Sequence, residues 1–320
     1  MGTTRLWRDG AVALEGFPVA DISDYAASDD CLVWADFVSP TEQHLAAIAE
    51  ELDIHPLTVE DAVHEFQRTR LTRFENHGFL ALHAIAIDEQ GEVTDAPITA
   101  FLTKRALVTV HGPEFDMTPI TERWDKERRL LSAGVPALVW ALLDHVVDGH
   151  FAAAQELDSR LDVLEDDLFD EDGGDGDVQR RSFAVRKSLT QLRKVATPTR
   201  EIVATLLHRE PVLPREIAPY YQDVFDHTVR VIEWTDTMRE VVGTVLETHV
   251  ALQGNRANAI MKQVTSWAAI IAVPTAITGF FGQNVPFPGS GEPGGVVVSS
   301  VLIVTASVAL YAGFKRRGWL

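Results

Sequence analysis

The chain has 320 residues, 46% of them hydrophobic, with 28 Lys plus Arg against 47 Asp plus Glu and a formal charge of −19 at pH 7. That balance excludes a surface built to grip nucleic acid, which needs clustered positive charge; it suits a protein that handles cations, and it equally suits plain solubility. The single cysteine, Cys31, excludes an intramolecular disulfide framework.

The N-terminus, MGTTRLWRDG, lacks the apolar core of a signal peptide, so the first part of the chain is expected to stay in the cytoplasm. Residues 1–115 read as a mixed α/β domain. Asp9-Gly10 is a hairpin-turn pair. The runs CLVWADF (Cys31 to Phe37), FLALHAIAI (Phe79 to Ile87), ITAFLT (Ile98 to Thr103) and ALVTV (Ala106 to Val110) are strand-like and bounded by turn residues. SPTEQHLAAIAEEL opens with a capping signal and continues with helical spacing.

Helical periodicity then runs from about Pro136 to Phe169 and from about Val178 to His208, on either side of the polar turn DEDGGDGD. Residues 116–216 are therefore expected to form a cytoplasmic helical hairpin. Its tip shares acidity with a calcium-binding loop but not the register of the ligands. Beyond Pro211, Pro214 and Pro219 no proline occurs until Pro274. That permits one helix from near Ala218 onward, about 60 residues and ~90 Å at 1.5 Å per residue, of which 217–262 form a stalk.

Two runs near the C-terminus, Val264 to Phe281 and Val296 to Phe314, carry no charged residue. Each is near the length that spans a bilayer, and a buried hairpin of a soluble protein would normally keep a polar stripe. The expected order is a transmembrane helix at 263–283, a loop at 284–295, a second transmembrane helix at 296–314 and a basic tail at 315–320. Lys315-Arg316-Arg317 follows the second span and Glu292 is the one charge of the loop, so both termini are expected in the cytoplasm with the loop outside.

Steps of four and three back from Gly279 give Thr275, Ala272, Ala268, Thr265, Met261, Asn258, Gly254, Ala251 and Glu247, a 3.5-residue seam. The seam is small and polar where a coiled coil would carry Leu and Ile. Small and hydroxyl residues at this spacing have two readings, close helix packing or the wall of a narrow watery pore. Two helices per chain cannot enclose a pore, so the second reading needs a ring of subunits. In such a ring Glu247 would form a circle of carboxylates, and Asn284 a circle of amides at the far end. Gly282-Gln283-Asn284 has two readings of its own: a helix end followed by a turn, or a neutral filter that holds hydrated magnesium through its waters.

The segments now in hand resemble the CorA-type magnesium transporter family over nearly the whole chain. HPLTVEDAVHEFQRTRLTRFENHGFLALHAIAIDE (His55 to Glu89) resembles that family's cytoplasmic segment, PYYQDVFDHTVRV (Pro219 to Val231) the start of its stalk helix, and FKRRGWL its basic, Trp-bearing tail. The family's Gly-Met-Asn signature stands here as Gly282-Gln283-Asn284. The resemblance implies an α+β cytoplasmic domain, a long helical stalk and two C-terminal transmembrane helices, assembled as a funnel-shaped homopentamer in the cell (inner) membrane. It also implies magnesium transport, with Asn284 as the outer selectivity ring and Thr275, Asn258 and Met261 along pore and gate. Asp88 and Asp226 fall at the family's inter-subunit regulatory metal positions. With Gln in the signature, cobalt, nickel and zinc are alternative cargoes.

Other motifs fail their context tests. Gly289 to Gly294 satisfies G-x-G-x-x-G, but no strand precedes it and Pro293 interrupts it. His55, His64, His77 and His83 lack paired zinc-site spacing and read as scaffold. No nucleophile–base arrangement is legible, so no enzyme is expected. A proton-coupled carrier would place an ionisable residue in a span, and neither span has one. The competing class is a membrane-anchored sensor without transport.

Overall fold

A computed structural model of the chain describes residues 2–55, 58–59, 68–88, 91–168, 175–208, 213–283 and 291–320. The chain divides into two compact units, Met1–Val245 and Leu246–Leu320.

The first unit is built on a seven-stranded sheet of β1 (Gly2–Arg8), β2 (Ala11–Glu15), β3 (Cys31–Val38), β4 (Arg70–Arg73), β5 (Gly78–Ile87), β6 (Val93–Leu102) and β7 (Ala106–His111). The strands lie in the order β2-β1-β3-β7-β6-β5-β4. β3 and β7 are parallel and the other neighbours antiparallel. Asp9 (φ 53°) and Gly10 (φ 76°) make the β1–β2 turn, with the two successive positive φ values that a tight hairpin requires. β6 begins at Val93, ahead of the Ile98 start expected from sequence, because antiparallel pairing with β5 carries the strand through Pro97, opposite His83.

Both faces of the sheet are covered, which is why CLVWADF reads as a continuous apolar run rather than an alternating one. Val33, Ala35 and Phe37 face one core with Phe79, Phe101 and Val108, closed by Ile22 of α1 (Ile22–Ala26) and by Leu45 and Ile48 of α2 (Glu42–Glu51). The Thr41 hydroxyl accepts the His44 N–H at 3.4 Å, the cap expected at the start of α2. Leu32 and Trp34 face the other core with Leu80, Leu82 and Leu107. That core is covered by α3 (Thr118–Lys126), a 3₁₀ turn (Arg128–Ala133), α4 (Val135–Asp167) and α5 (Asp175–His208). Trp124 of α3 sits edge-on to both Trp7 and Trp34, with ring centroids 5.7 and 5.0 Å away.

The next helix, α6 (Ala218–Phe281), begins in this unit. It buries Tyr221, Val224, Thr228, Val231, Thr235, Met238, Val242 and Val245, alternating by three and four. The Arg193 guanidinium of α5 forks onto Asp236 of α6 (Nε–Oδ1 2.6 Å, Nη2–Oδ2 3.3 Å), and the Trp234 indole N–H donates to Asp158 of α4 at 3.2 Å. The long helix is thus tied to the hairpin by shape and by charge.

Two buried histidines give this unit an opposed pH dependence. His150 of α4 donates from Nε2 to the His83 carbonyl at 2.9 Å, and burial pushes its pKa down to about 4. Such a group must charge in acid, so its contribution is present above the ordinary value of 6.5 and lost as pH falls toward 4. His111 donates from Nδ1 to the Gly112 carbonyl at 2.6 Å and faces the Asp36 carboxylate from Nε2 at 3.2 Å. Burial lowers its pKa, but the Asp36 hydrogen bond and charge outweigh burial and the net shift is upward. Its contribution is full below 6.5 and lost as pH rises through the raised value. Stability should therefore peak near neutrality. Between pH 7 and pH 5 the His150 contribution should fall by about 2 kcal/mol. A neutral His150→Gln variant should show a correspondingly smaller drop in the urea midpoint of tryptophan fluorescence.

Candidate ion pathway and metal-sensing residues

The second unit holds the remainder of α6 and α7 (Pro293–Arg316). Both helices are long and apolar enough to cross a membrane, and 6% of the apolar window of α6 and none of that of α7 is buried within the chain. A core hairpin of a soluble protein would show the reverse.

Within α6 the burial pattern separates two faces. Ser266 is fully buried, and Ala269, Ile270, Val273, Pro274, Ile277 and Phe281 are half-buried. On α7 the half-buried positions are Gly295, Ser299, Ile303, Ala306, Ser307, Leu310 and Phe314. Each set recurs every three or four residues and forms one stripe. Every seam residue lies elsewhere: Glu247, Asn258, Met261, Thr265, Ala268, Ala272, Thr275 and Gly279 are all exposed. At 100° per residue, Thr265 to Gly279 fall on the side of α6 opposite Ser266 to Phe281. The seam therefore faces away from the half-buried stripe of α6.

The hydroxyls near this face are turned into acceptors. Thr275 Oγ1 donates to the Ile271 carbonyl at 2.9 Å, and Thr278 Oγ1 to the Thr275 carbonyl at 3.0 Å. With their protons spent on the helix, the oxygens present lone pairs, which suit the water hydrogens around a hydrated cation.

α6 ends at Phe281, and the N–H of Gly282 donates to the Thr278 carbonyl at 2.9 Å. Gly282 is not among the positive-φ residues. What its missing side chain provides is clearance, since a Cβ would stand 3.0 Å from the Thr278 carbonyl oxygen. Gln283 is exposed; Asn284 lies outside the described residues, as do His64 and the hairpin tip 169–174.

The same alternation of three and four continues in the sequence before Glu247 through Thr244, Glu240, Thr237, Glu233 and Arg230 to Asp226, and each of these is exposed. Asp226, Glu233, Glu240 and Glu247 recur every seven residues, which is the sequence period of the seam. Sequence reading found the lower seam and Asp226 separately. What joins them is periodicity that the charged residues hide from a search for small ones.

Asp226 accepts from the Gln222 amide at 2.9 Å on its own helix. Asp88 is half-buried in the β5–β6 turn, where its Oδ1 accepts the Glu92 N–H at 2.8 Å. Among the described residues, no group of three or more His, Cys, Asp or Glu is placed to hold a metal ion within one chain. Of the scaffold histidines, His77 and His83 are buried, and His55 stacks on Phe74 with centroids 5.4 Å apart.

α7 starts on Pro293 and ends with Gly318 at φ 67°, the Trp319 N–H reaching back to the Phe314 carbonyl at 3.0 Å. The two rings stack, with centroids 5.7 Å apart. This is a Schellman-type stop with its apolar contact, placed where the basic tail begins.

The sequence profile of the CorA-like Mg2+ transporter protein family matches residues 29–316. The chain belongs to that family. It is 26% identical to the cobalt/magnesium transport protein CorA of Thermotoga maritima, over 99% of this chain and 95% of that protein. It is 24% identical to the protein of the same description from Methanocaldococcus jannaschii, over 97% of this chain and 98% of that one. The complete structure of the CorA magnesium transporter from Methanocaldococcus jannaschii shares the fold, with a TM-score of 0.79 at 22% identity over 100% of this chain and 99% of that chain. The cytoplasmic domain of ZntB from Vibrio parahaemolyticus aligns with a TM-score of 0.56 at 16% identity, covering 81% of this chain and all of that one. The expected architecture, a soluble α/β domain, a long helix and two C-terminal apolar helices, is the one found.

Proposed function

We propose that the chain is one subunit of a homopentameric divalent-cation channel of the cell membrane, with magnesium as its main cargo. The observation that carries this reading is the exposed seam of α6. Small and hydroxyl residues from Thr265 to Gly279 lie opposite the half-buried stripe of α6, and Gly282-Gln283-Asn284 follows them in the chain. A lipid-facing surface would be apolar, as it is at Val264, Trp267 and Ile271, all strongly exposed. A seam of small and hydroxyl residues is instead the surface that five copies would turn toward water on a common axis.

On that axis the carboxylates of Glu247 would form a ring that concentrates cations by its field. The ion would pass Asn258, Met261, Thr265, Ala268, Ala272 and Thr275 without stripping all its water, which magnesium gives up reluctantly. The Asn284 ring would hold the hydrated ion at the outer mouth. Both termini would lie in the cytoplasm, with Lys315, Arg316 and Arg317 at the inner interface. Flux would run down the electrochemical gradient, and no step of covalent chemistry is needed.

The names of the relatives support magnesium and cobalt together. Gln283 adds a second amide next to Asn284 in the sequence, which would alter how the hydration shell is held and make cobalt, nickel or zinc effective competitors. Purified protein in liposomes loaded with a magnesium-sensitive dye should admit magnesium, with the three transition metals ranked by competition. No uptake of any of the four ions at low internal magnesium, with protein shown to be assembled, would leave a membrane-anchored sensor as the better reading.

Regulation would come from Asp88 and Asp226, facing each other across a subunit boundary. Their charges repel until a divalent ion bridges them, so filling the site at high internal magnesium would hold the ring closed.

A further inference from the structure

The turn that carries Asp88 is clamped from outside by the helical hairpin. Within the turn, the Gly91 N–H donates to the Asp88 carbonyl and the Asp88 N–H to the Glu92 carbonyl, each at 3.0 Å. Arg160 of α4 donates from Nη2 to the Asp88 carbonyl at 3.1 Å while its Nε is held by Glu156 at 2.8 Å. On α5, the buried Ser188 hydroxyl donates to the Gly91 carbonyl at 3.0 Å, and Lys187 pairs with Glu92 at 3.0 Å. Gly91 is buried at φ 86°, and a Cβ there would collide with the Arg160 guanidinium. The glycine therefore does two things at once: it adopts a left-handed backbone that other residues resist, and it leaves room for the guanidinium to lie against the turn.

We infer that Arg160 is a positioning residue, which holds the β5–β6 turn so that Asp88 is presented for divalent-cation binding and thereby sets the internal cation concentration at which the channel closes. This rests on the reading of Asp88 and Asp226 as the regulatory pair. A forked guanidinium can hold Glu156 and the Asp88 carbonyl together, whereas an ammonium is a single compact charge. The same guanidinium is also a positive charge near the bound ion, and by Coulomb's law alone it would weaken binding. The two roles predict opposite results when Arg160 is changed.

The test uses the full-length protein in liposomes, with closure followed as internal magnesium is raised. Arg160→Lys keeps the charge and loses the fork. It should raise the magnesium needed for half-closure by about tenfold or more, as expected for one lost charge-assisted hydrogen bond. Arg160→Met and Gly91→Ala, which displace the guanidinium by different routes, should shift it in the same direction. Flux at low internal magnesium should stay as in the unaltered protein, which a merely folding-defective variant would not achieve. Closure of Arg160→Lys at the unaltered concentration, or closure of Arg160→Met at a lower one, would overturn the positioning role. The Asp88→Ala, Asp226→Ala double variant separates the two levels. If it shifts closure and the Arg160 variants do not, the positioning role alone falls; if it leaves closure unchanged, the sensor reading falls and this inference with it.

Discussion

Asn284→Ala should reduce magnesium uptake into liposomes by at least about tenfold, because a hydrogen bond to a charged or strongly polarised group is worth roughly 1.5–3 kcal/mol and the loss recurs in every subunit of the ring. The assembled size should not change, because the substitution removes one amide and leaves untouched the residues that α6 buries from Tyr221 to Val245. Light scattering of the detergent-solubilised protein and dye-reported flux therefore form a matched pair of measurements. Flux retained by Asn284→Ala would remove the filter from Gly282-Gln283-Asn284 and leave the tripeptide as a helix end followed by a turn. Gln283→Met is the companion change. It should leave magnesium flux within a few-fold and lessen inhibition by cobalt and nickel, because an amide that can hold the hydration shell is replaced by a weakly polar thioether.

The second large effect is expected at the regulatory pair. With Asp88→Ala and Asp226→Ala together, internal magnesium should lose its grip on closure, and the half-closing concentration should rise by about tenfold or more, ~1.4 kcal/mol of lost cation binding per site. The open-state flux should persist, since neither residue lies on the seam between Glu247 and Gly279. Electrophysiological or dye-based titration of internal magnesium reads this directly. An unchanged titration would separate Asp88 and Asp226 from gating and return Asp88 to a turn-closing role, which its bond to the Glu92 N–H already supports.

Much of the architecture is legible along the chain because it is written in period and punctuation. The Asp9-Gly10 turn, the capped α2, strands β3, β5 and β7, the two hairpin helices and the long α6 all appear within a few residues of the expected limits. The elements that escape notice are short. α1, α3, β4 and the 3₁₀ turn at Arg128–Ala133 have too few residues for a period to emerge, and they exist because the sheet needs covers and an edge. Ile22 and Trp124 show this: each is almost wholly buried, yet neither stands in a run that announces it.

The candidate site divides along the same line. The seam from Glu247 to Gly279, the uncharged spans and the Gly282-Gln283-Asn284 corner follow from residue type and spacing, because a helix converts a 3.5-residue repeat into a face without help from any other part of the molecule. Which way that face points is a different matter. That it lies opposite the half-buried side of α6 follows only from burial along the folded helix. The clamp of Arg160, Ser188 and Lys187 on the Asp88 turn joins residues about 70 to 100 positions apart, and no local pattern encodes such a meeting. Sequence determined the helices, their apolar lengths and their polar seam, since these depend on neighbours in the chain; the packing of α4 and α5 against the β5–β6 turn decided how Asp88 is held, since that depends on surfaces brought together by burying the core.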